Sequence, residues 1–216
     1  MRVAAFISGR GSNMQALADA CAAPDFPATL SLVLSNVADA PGLAVAAERG
    51  IRTEAVPHRP HAGNREAHER AIDAVLIRER IDLVCLAGYM RLLTPWLVER
   101  WHNRMINIHP SLLPAFKGLD THARAIETGA RWHGCTVHFV RAAMDEGPIV
   151  AQAVVPVAAA DTADSLCDRV LAQEHRLYPH ALALVASGTA RVEGERVMLH
   201  DHALPAAAIN PPETMP

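Results

Sequence analysis

Apolar residues recur along this chain in two alternating rhythms. Near-unbroken apolar runs at residues 3–7, 30–34 and 82–87 have the length and continuity of strands buried on both faces of a sheet. Between them the apolar positions step by three and four. Met14, Leu17, Ala18 and Cys21 form one such stripe. Ala71, Ile72, Val75 and Leu76 form another, inside a helix predicted to run from an Asn64 cap to residue 80. Ser12 or Asn13 is placed to cap the first helix. A short helix over 41–49 has Pro41 in its first turn and Gly50 just past its end. Residues 53–56 read as a weaker strand, 57–63 as loop, and 105–108 as a further short strand. This alternation predicts an α/β fold with a mostly parallel, doubly wound, Rossmann-like sheet.

The rhythm changes in the second half. A helix over 121–128 ends at Gly129, and residues 133–140 then alternate as a strand does. With the apolar run 149–157 they form a β pair around the turn at 144–148. One long helix is expected over 161–186, interrupted by Pro179, then a hairpin over 191–199. Residues 204–216 are rich in Pro and Ala and read as a loosely held tail. No repeat or linker divides the chain. A single domain over 1–203 is expected, with a nucleotide-phosphate half at about 1–104 and a catalytic half at about 105–203.

Three stretches carry candidate chemistry. The first is Ser8-Gly9-Arg10-Gly11-Ser12-Asn13, a glycine turn between a strand and a helix start. Free N–H groups and the helix dipole there suit an anion, although a tight turn with no ligand has the same look. It is no dinucleotide fingerprint, because Met14 holds the third glycine position and the second strand ends at Asn36. It lacks the Gly-Lys-Ser/Thr of a P-loop, so a single phosphate monoester fits better. The second is Asn107-Ile108-His109-Pro110, where an amide and an imidazole leave one face of a strand as Pro110 breaks it. Such a pair can hydrogen-bond an oxyanion and move a proton. The third is Asp145, a turn-former or a catalytic carboxylate. Beyond these, Glu174 interrupts the apolar stripe Val170, Leu177, Ala181, Val185. It needs a polar partner or an exposed helix edge. The apolar loop Gly88 to Leu93 reads as core or as the lining of a pocket for a flat ligand.

Composition narrows the classes. The 216 residues are half apolar but only 4% aromatic, so the core is built from Ala, Val, Leu and Ile. A net charge of −3 argues against a nucleic-acid partner. The first apolar run is too short for a signal-peptide core or a membrane span. Cys21, Cys85, Cys135 and Cys167 form no paired motif and suit a reducing cytoplasm. The close pairs His58/His61, His133/His138 and His200/His202 lack partners at zinc-like spacing, so no metal is expected.

Together the motifs resemble those of the folate-dependent formyltransferases, over residues 3 to about 178. The resemblance rests on the glycine turn, Ala87-Gly88-Tyr89-Met90-Arg91 and Asn107 through Pro114. It rests also on Gly134-Cys135-Thr136-Val137-His138-Phe139-Val140 followed by Asp145-Glu146-Gly147, and on Gln173-Glu174-His175. It implies the formyltransferase fold and transfer of a formyl group from 10-formyltetrahydrofolate to the amine of glycinamide ribonucleotide. Within it, Asn107, His109 and Asp145 match the catalytic trio, with no metal. Gly11, Ser12 and Asn13 match the phosphate segment, and Glu174 a residue holding the sugar and glycinamide. Arg65, Met90, Arg91, Leu92 and Asn107 match the folate site. Three positions depart from the pattern: Glu146 where some relatives have glycine, Ala142 where an acid is usual, and Leu171 where a polar group near the phosphate is common. Small-molecule partners, a monomer or homodimer, and a cytoplasmic location are expected. Other formyl-folate enzymes and a non-catalytic folate-binding protein remain as alternatives.

Overall fold

The computed structural model describes residues 1–199. The expected 204–216 tail and the His200/His202 pair lie outside the described residues. The elements run β1 (Arg2–Ile7), α1 (Ser12–Cys21), β2 (Thr29–Ser35), α2 (Pro41–Glu48), β3 (Thr53–Ala55), α3 (Arg65–Arg78), β4 (Leu83–Leu86) and α4 (Pro95–Arg100). They continue with β5 (Met105–His109), α5 (Thr121–Glu127), β6 (Trp132–Phe139), β7 (Ile149–Pro156), α6 (Ala163–Ala186), β8 (Ala190–Glu193) and β9 (Arg196–Leu199).

Seven strands form one sheet in the order β3-β2-β1-β4-β5-β6-β7, and β8 pairs with β9 alone. The pairings from β3 through β5 are parallel, while β5–β6 and β6–β7 are antiparallel. The mostly parallel, doubly wound sheet and the terminal hairpin are therefore as the apolar rhythm predicts. Alternate residues of β1 face different cores. Val3, Ala5 and Ile7 pack with Leu17 of α1 and with Val170 and Leu182 of α6. Ala4 and Phe6 pack with Ile72 and Leu76 of α3 and Leu97 of α4. Continuous apolarity follows because both faces are covered.

Two local expectations give way. Neither Ser12 nor Asn13 caps α1: Gly11 holds that position at φ 71, with no side-chain cap. The Asn13 amide is drawn instead to Glu174, as described below. Pro179 does not interrupt α6, which runs through it. The fully buried Tyr178 donates from its hydroxyl toward the carbonyls of Leu86 (3.0 Å) and Ile106 (3.2 Å). Leu177, Ala181 and Leu182 are buried around it, and this packing outweighs the roughly 3 kcal/mol cost of an interior proline. The helix also starts later than predicted, at a Thr162/Ser165 capping box.

Because β1 lies between β2 and β4, the strand order reverses at β1/β4. In sheets of this kind a crevice opens there, outside the carboxyl ends of the strands. The registers Phe6↔Leu86 and Leu86↔Asn107 bring the ends of β1, β4 and β5 level.

Candidate active site

Ser8, the first residue past β1, ties three strand ends together. Its N–H donates to the Gly88 carbonyl at 3.0 Å. Its hydroxyl donates to Asn36 Oδ1 at 2.6 Å and accepts from the Met90 N–H at 2.8 Å. The glycine turn that follows lies directly on the first turn of α2. A Cβ on Gly42 would sit 3.0 Å from the carbonyls of both Gly9 and Arg10. Gly11 takes the left-handed conformation that a β-branched residue resists. Gly11, Ser12 and Asn13 thus stand at the start of α1, at the level of the β5 end.

Asn13 and Glu174 meet although they come from opposite ends of the chain. Asn13 Nδ2 donates to Glu174 Oε2 at 2.6 Å, and both side chains are buried. The exposed-edge reading of Glu174 falls away. Burial pushes its carboxyl pKa up, and the Asn13 hydrogen bond partly offsets that rise. Asn13 Oδ1 is buried without a hydrogen-bond partner. A buried acceptor of this kind is costly unless a donor reaches it, so Asn13 Oδ1 is free to accept from a hydroxyl or an amine.

The amide, imidazole and carboxylate predicted for chemistry converge at the end of β5. His109 Nδ1 lies 3.5 Å from Asp145 Oδ1, and both side chains are almost fully enclosed. Nε2 of His109 stands 3.1 Å from the Phe116 carbonyl, which can only accept, so Nε2 carries a proton here. Asp145 is the turn-former its sequence position allowed, and it stands beside His109. It is a left-handed turn residue at φ 52, and its Oδ2 accepts from the Gly118 N–H at 2.7 Å.

His138 adjoins this cluster, although in sequence it stood out only as one of a close histidine pair and within the resemblance motif, with no role. The antiparallel register sets it opposite Asn107, with Asn107 Nδ2 3.2 Å from His138 Nε2. His138 Nδ1 faces the Phe139 carbonyl at 3.0 Å, so that nitrogen holds the proton and Nε2 accepts. Burial lowers the His138 pKa and keeps the ring neutral. The imidazole thereby fixes which way the Asn107 amide faces and leaves its second N–H for a ligand. Behind this pair, Thr136 secures the loop after Pro110. Its hydroxyl donates to the Ser111 carbonyl (2.6 Å) and accepts from the Leu113 N–H (3.0 Å).

The expected folate residues are more dispersed. The loop divides: Tyr89 is buried in the core with Leu93 packed against it, while Met90 and Leu92 are 67% and 61% exposed. Arg91 lies between them, near His68, whose pKa is lowered chiefly by burial and further by the Arg91 charge. Arg65 stands apart: it opens α3 as an exposed side chain, with no hydrogen bond or ion pair to another site residue among the described residues. The cysteines are poor nucleophiles, since burial pushes Cys21 to about 11 and Cys135 to about 12. Among the described residues no cluster of three His, Cys, Asp or Glu side chains is disposed to hold a metal ion.

Known proteins resemble this chain in sequence and in fold. A sequence profile described as Formyl transferase matches residues 1–182. The chain is 48% identical over 191 residues to the trifunctional purine biosynthetic protein adenosine-3 of Homo sapiens. That match covers 88% of this chain but 19% of the human protein, so the chain spans about a fifth of that relative's length. It is 41% identical over 205 residues to the phosphoribosylglycinamide formyltransferase of Escherichia coli K12, covering 95% of this chain and 96% of the relative. The solved glycinamide ribonucleotide transformylase 1 of Symbiobacterium toebii superposes with a TM-score of 0.89 at 45% identity, covering 93% of this chain and 94% of that one.

Proposed function

We propose a function from one premise: the chain belongs to the formyl transferase family, whose profile spans most of its length. Its reaction is transfer of a formyl group from 10-formyltetrahydrofolate to the amine of glycinamide ribonucleotide. The products are formylglycinamide ribonucleotide and tetrahydrofolate, a step in purine biosynthesis. The names of the relatives support this choice of substrate. The observation that carries it is the enclosed cluster of Asn107, His109 and Asp145 at the end of β5.

The folate supplies a formyl carbon activated by attachment to a ring-bearing nitrogen. The exposed Met90 and Leu92 beside Arg91 fit a flat ring system carrying an acidic tail. Arg65 lies on the same edge of the sheet and fits that tail. Gly11, Ser12 and the α1 N-terminus hold the ribonucleotide phosphate, and Glu174 with Asn13 holds the sugar and glycinamide. Both sets of residues come from across one sheet, which supports reading the described part of the expected 1–203 domain, residues 1–199, as one unit.

Asn107 donates its free amide N–H to the oxygen that gains charge as the amine attacks. His109 adds a second positive edge to that oxygen and protonates the departing folate nitrogen. Asp145 stabilises the imidazolium and takes up the surplus proton of the amine, directly or across one water. Four free cysteines fit a reducing cytoplasm as the setting.

The test is a formyl-transfer assay with purified protein, following deformylated folate by absorbance. Product should form only when glycinamide ribonucleotide is present. Folate deformylated at the same rate without the ribonucleotide would instead make this a hydrolase. No turnover under either condition would leave a binding protein.

A further inference from the structure

We infer that Arg124 of α5 is a positioning residue that sets His109 and Asp145 together, through the backbone of residues 116–119. The inference rests on the formyl-transfer reading of the site. Its first ground is that one short loop holds both catalytic side chains. The Phe116 carbonyl accepts from His109 Nε2 at 3.1 Å, and two residues later the Gly118 N–H donates to Asp145 Oδ2 at 2.7 Å. A shift of this loop therefore moves both members of the pair.

The second ground is that the loop is held in an unfavourable shape. Phe116, Gly118 and Asp120 all take positive φ, at 52°, 82° and 55°. A residue with a Cβ resists that region, and two of the three carry one. Something must hold the carbonyls between them in place. Arg124 does so: its Nη1 donates to the Lys117 carbonyl at 2.6 Å and the Leu119 carbonyl at 3.2 Å. These two carbonyls alternate with the three left-handed residues. The same guanidinium lies 5.7 Å from the centroid of the Phe116 ring, whose edge also packs on buried His133.

Other contacts to the loop do not do this job. The Lys117–Glu146 ion pair, at 2.6 Å, joins two side chains and holds no backbone carbonyl of the loop, whereas the exposed Arg124 reaches two of them. Asp120 gives α5 no side-chain cap. Arg124 itself stands on a secured base, since Thr121 donates to the Pro110 carbonyl at 2.7 Å and Ala125 is fully buried.

The test uses Arg124→Met, which keeps a long unbranched side chain but loses the donors, and Arg124→Lys, which restores one. Kinetics are read against both substrates, together with the melting temperature and the hydrogen exchange of the Gly118 amide by NMR. Arg124→Met should lower kcat about 10- to 100-fold, the scale expected when catalytic groups are misplaced by an ångström or less. KM for each substrate should stay within about threefold, and Gly118 exchange should quicken by a similar factor as its hydrogen bond to Asp145 opens more often. Arg124→Lys should recover most of both losses. An unchanged kcat in Arg124→Met would overturn the inference. So would a loss confined to KM, or a general fall in stability that lysine fails to reverse. A wild-type protein that transfers no formyl group would refute the reading of the site instead. The Gly118 amide would still decide this inference, because unchanged exchange in Arg124→Met sinks it.

Discussion

Asp145→Asn is the sharpest perturbation available in this site. Asparagine is nearly isosteric and tolerates the left-handed conformation that Asp145 holds at φ 52. Its carbonyl oxygen can keep the Gly118 N–H bond, so the turn stays in place while the negative charge goes. What is lost is attraction between a carboxylate and an imidazolium 3.5 Å apart, with side chains 12% and 7% exposed. At an effective dielectric constant of about 20, that attraction is worth about 5 kcal/mol. Residual solvent makes this an upper bound, equivalent to roughly 10³- to 10⁴-fold in rate. A loss of about 10²- to 10³-fold in single-turnover rate is therefore expected. KM for the ribonucleotide should change by less than about threefold, because the residues proposed to hold it, Asn13 and Glu174, lie outside this pair. His109→Ala and the double variant complete a cycle in which the two losses should fall well short of additive. Fully additive losses, or an Asp145→Asn rate within threefold of wild type, would refute the pairing and the mechanism built on it.

How much of this was legible beforehand depends on how local each cause is. The strands were legible because β1, β2 and β4 are covered on both faces and read as apolar runs. Glu174 stood out because a carboxylate broke the stripe Val170, Leu177, Ala181, and its burial needed a partner. That the partner is Asn13 could not be read from either segment alone. It depends on α6 packing beside α1, and the same contact removed Asn13 from its expected capping role. His138 was missed for a related reason. Only the register of β5 with β6 puts it opposite Asn107, and register is a property of two strands. Phe116 gave no warning of positive φ, and Asp120 only the weak one that aspartate enters that region more readily than most residues. Pro179 misled in the opposite direction. A local rule predicted a break, and the buried anchoring of Tyr178 overrode it. The residue types of the candidate site and their strand-end setting were thus visible in one dimension, while the contacts that orient them needed three.

Further tests address the ligand sites and the core. Gly11→Val puts a branched side chain at φ 71, with its Cβ 3.1 Å from Met14 Cε. It should raise the ribonucleotide KM at least about tenfold and leave the folate KM alone, the strain costing about 1–3 kcal/mol; equal effects on both substrates would speak against the phosphate assignment. Glu174→Gln keeps an acceptor for Asn13 but removes a buried charge whose pKa burial has raised. It should weaken ribonucleotide binding while the melting temperature at pH 7 holds or rises, and a fall in melting temperature with unchanged affinity would make Glu174 purely structural. The last test concerns acid stability. His133 is 1% exposed, and burial, with the His122 imidazole as a lesser cause, pushes its pKa down to about 4. The unfolded chain would bind this proton near pH 6.5. Between pH 6.5 and 4 the unfolded state therefore holds more protons, and stability falls as the pH falls. The contribution is fully present above pH 6.5 and is lost by about pH 4, at a size of at most about 3 kcal/mol. His133→Phe retains an aromatic ring between Phe116 and His122 and removes the proton site. Its melting temperature should drop less than that of wild type between pH 7.5 and 5. Some slope should survive, because His68, His122 and His138 are shifted in the same direction. If wild type and variant lose stability equally over that range, His133 takes its proton in the folded state as readily as in the unfolded one, and the account of a neutral imidazole behind Phe116 is wrong.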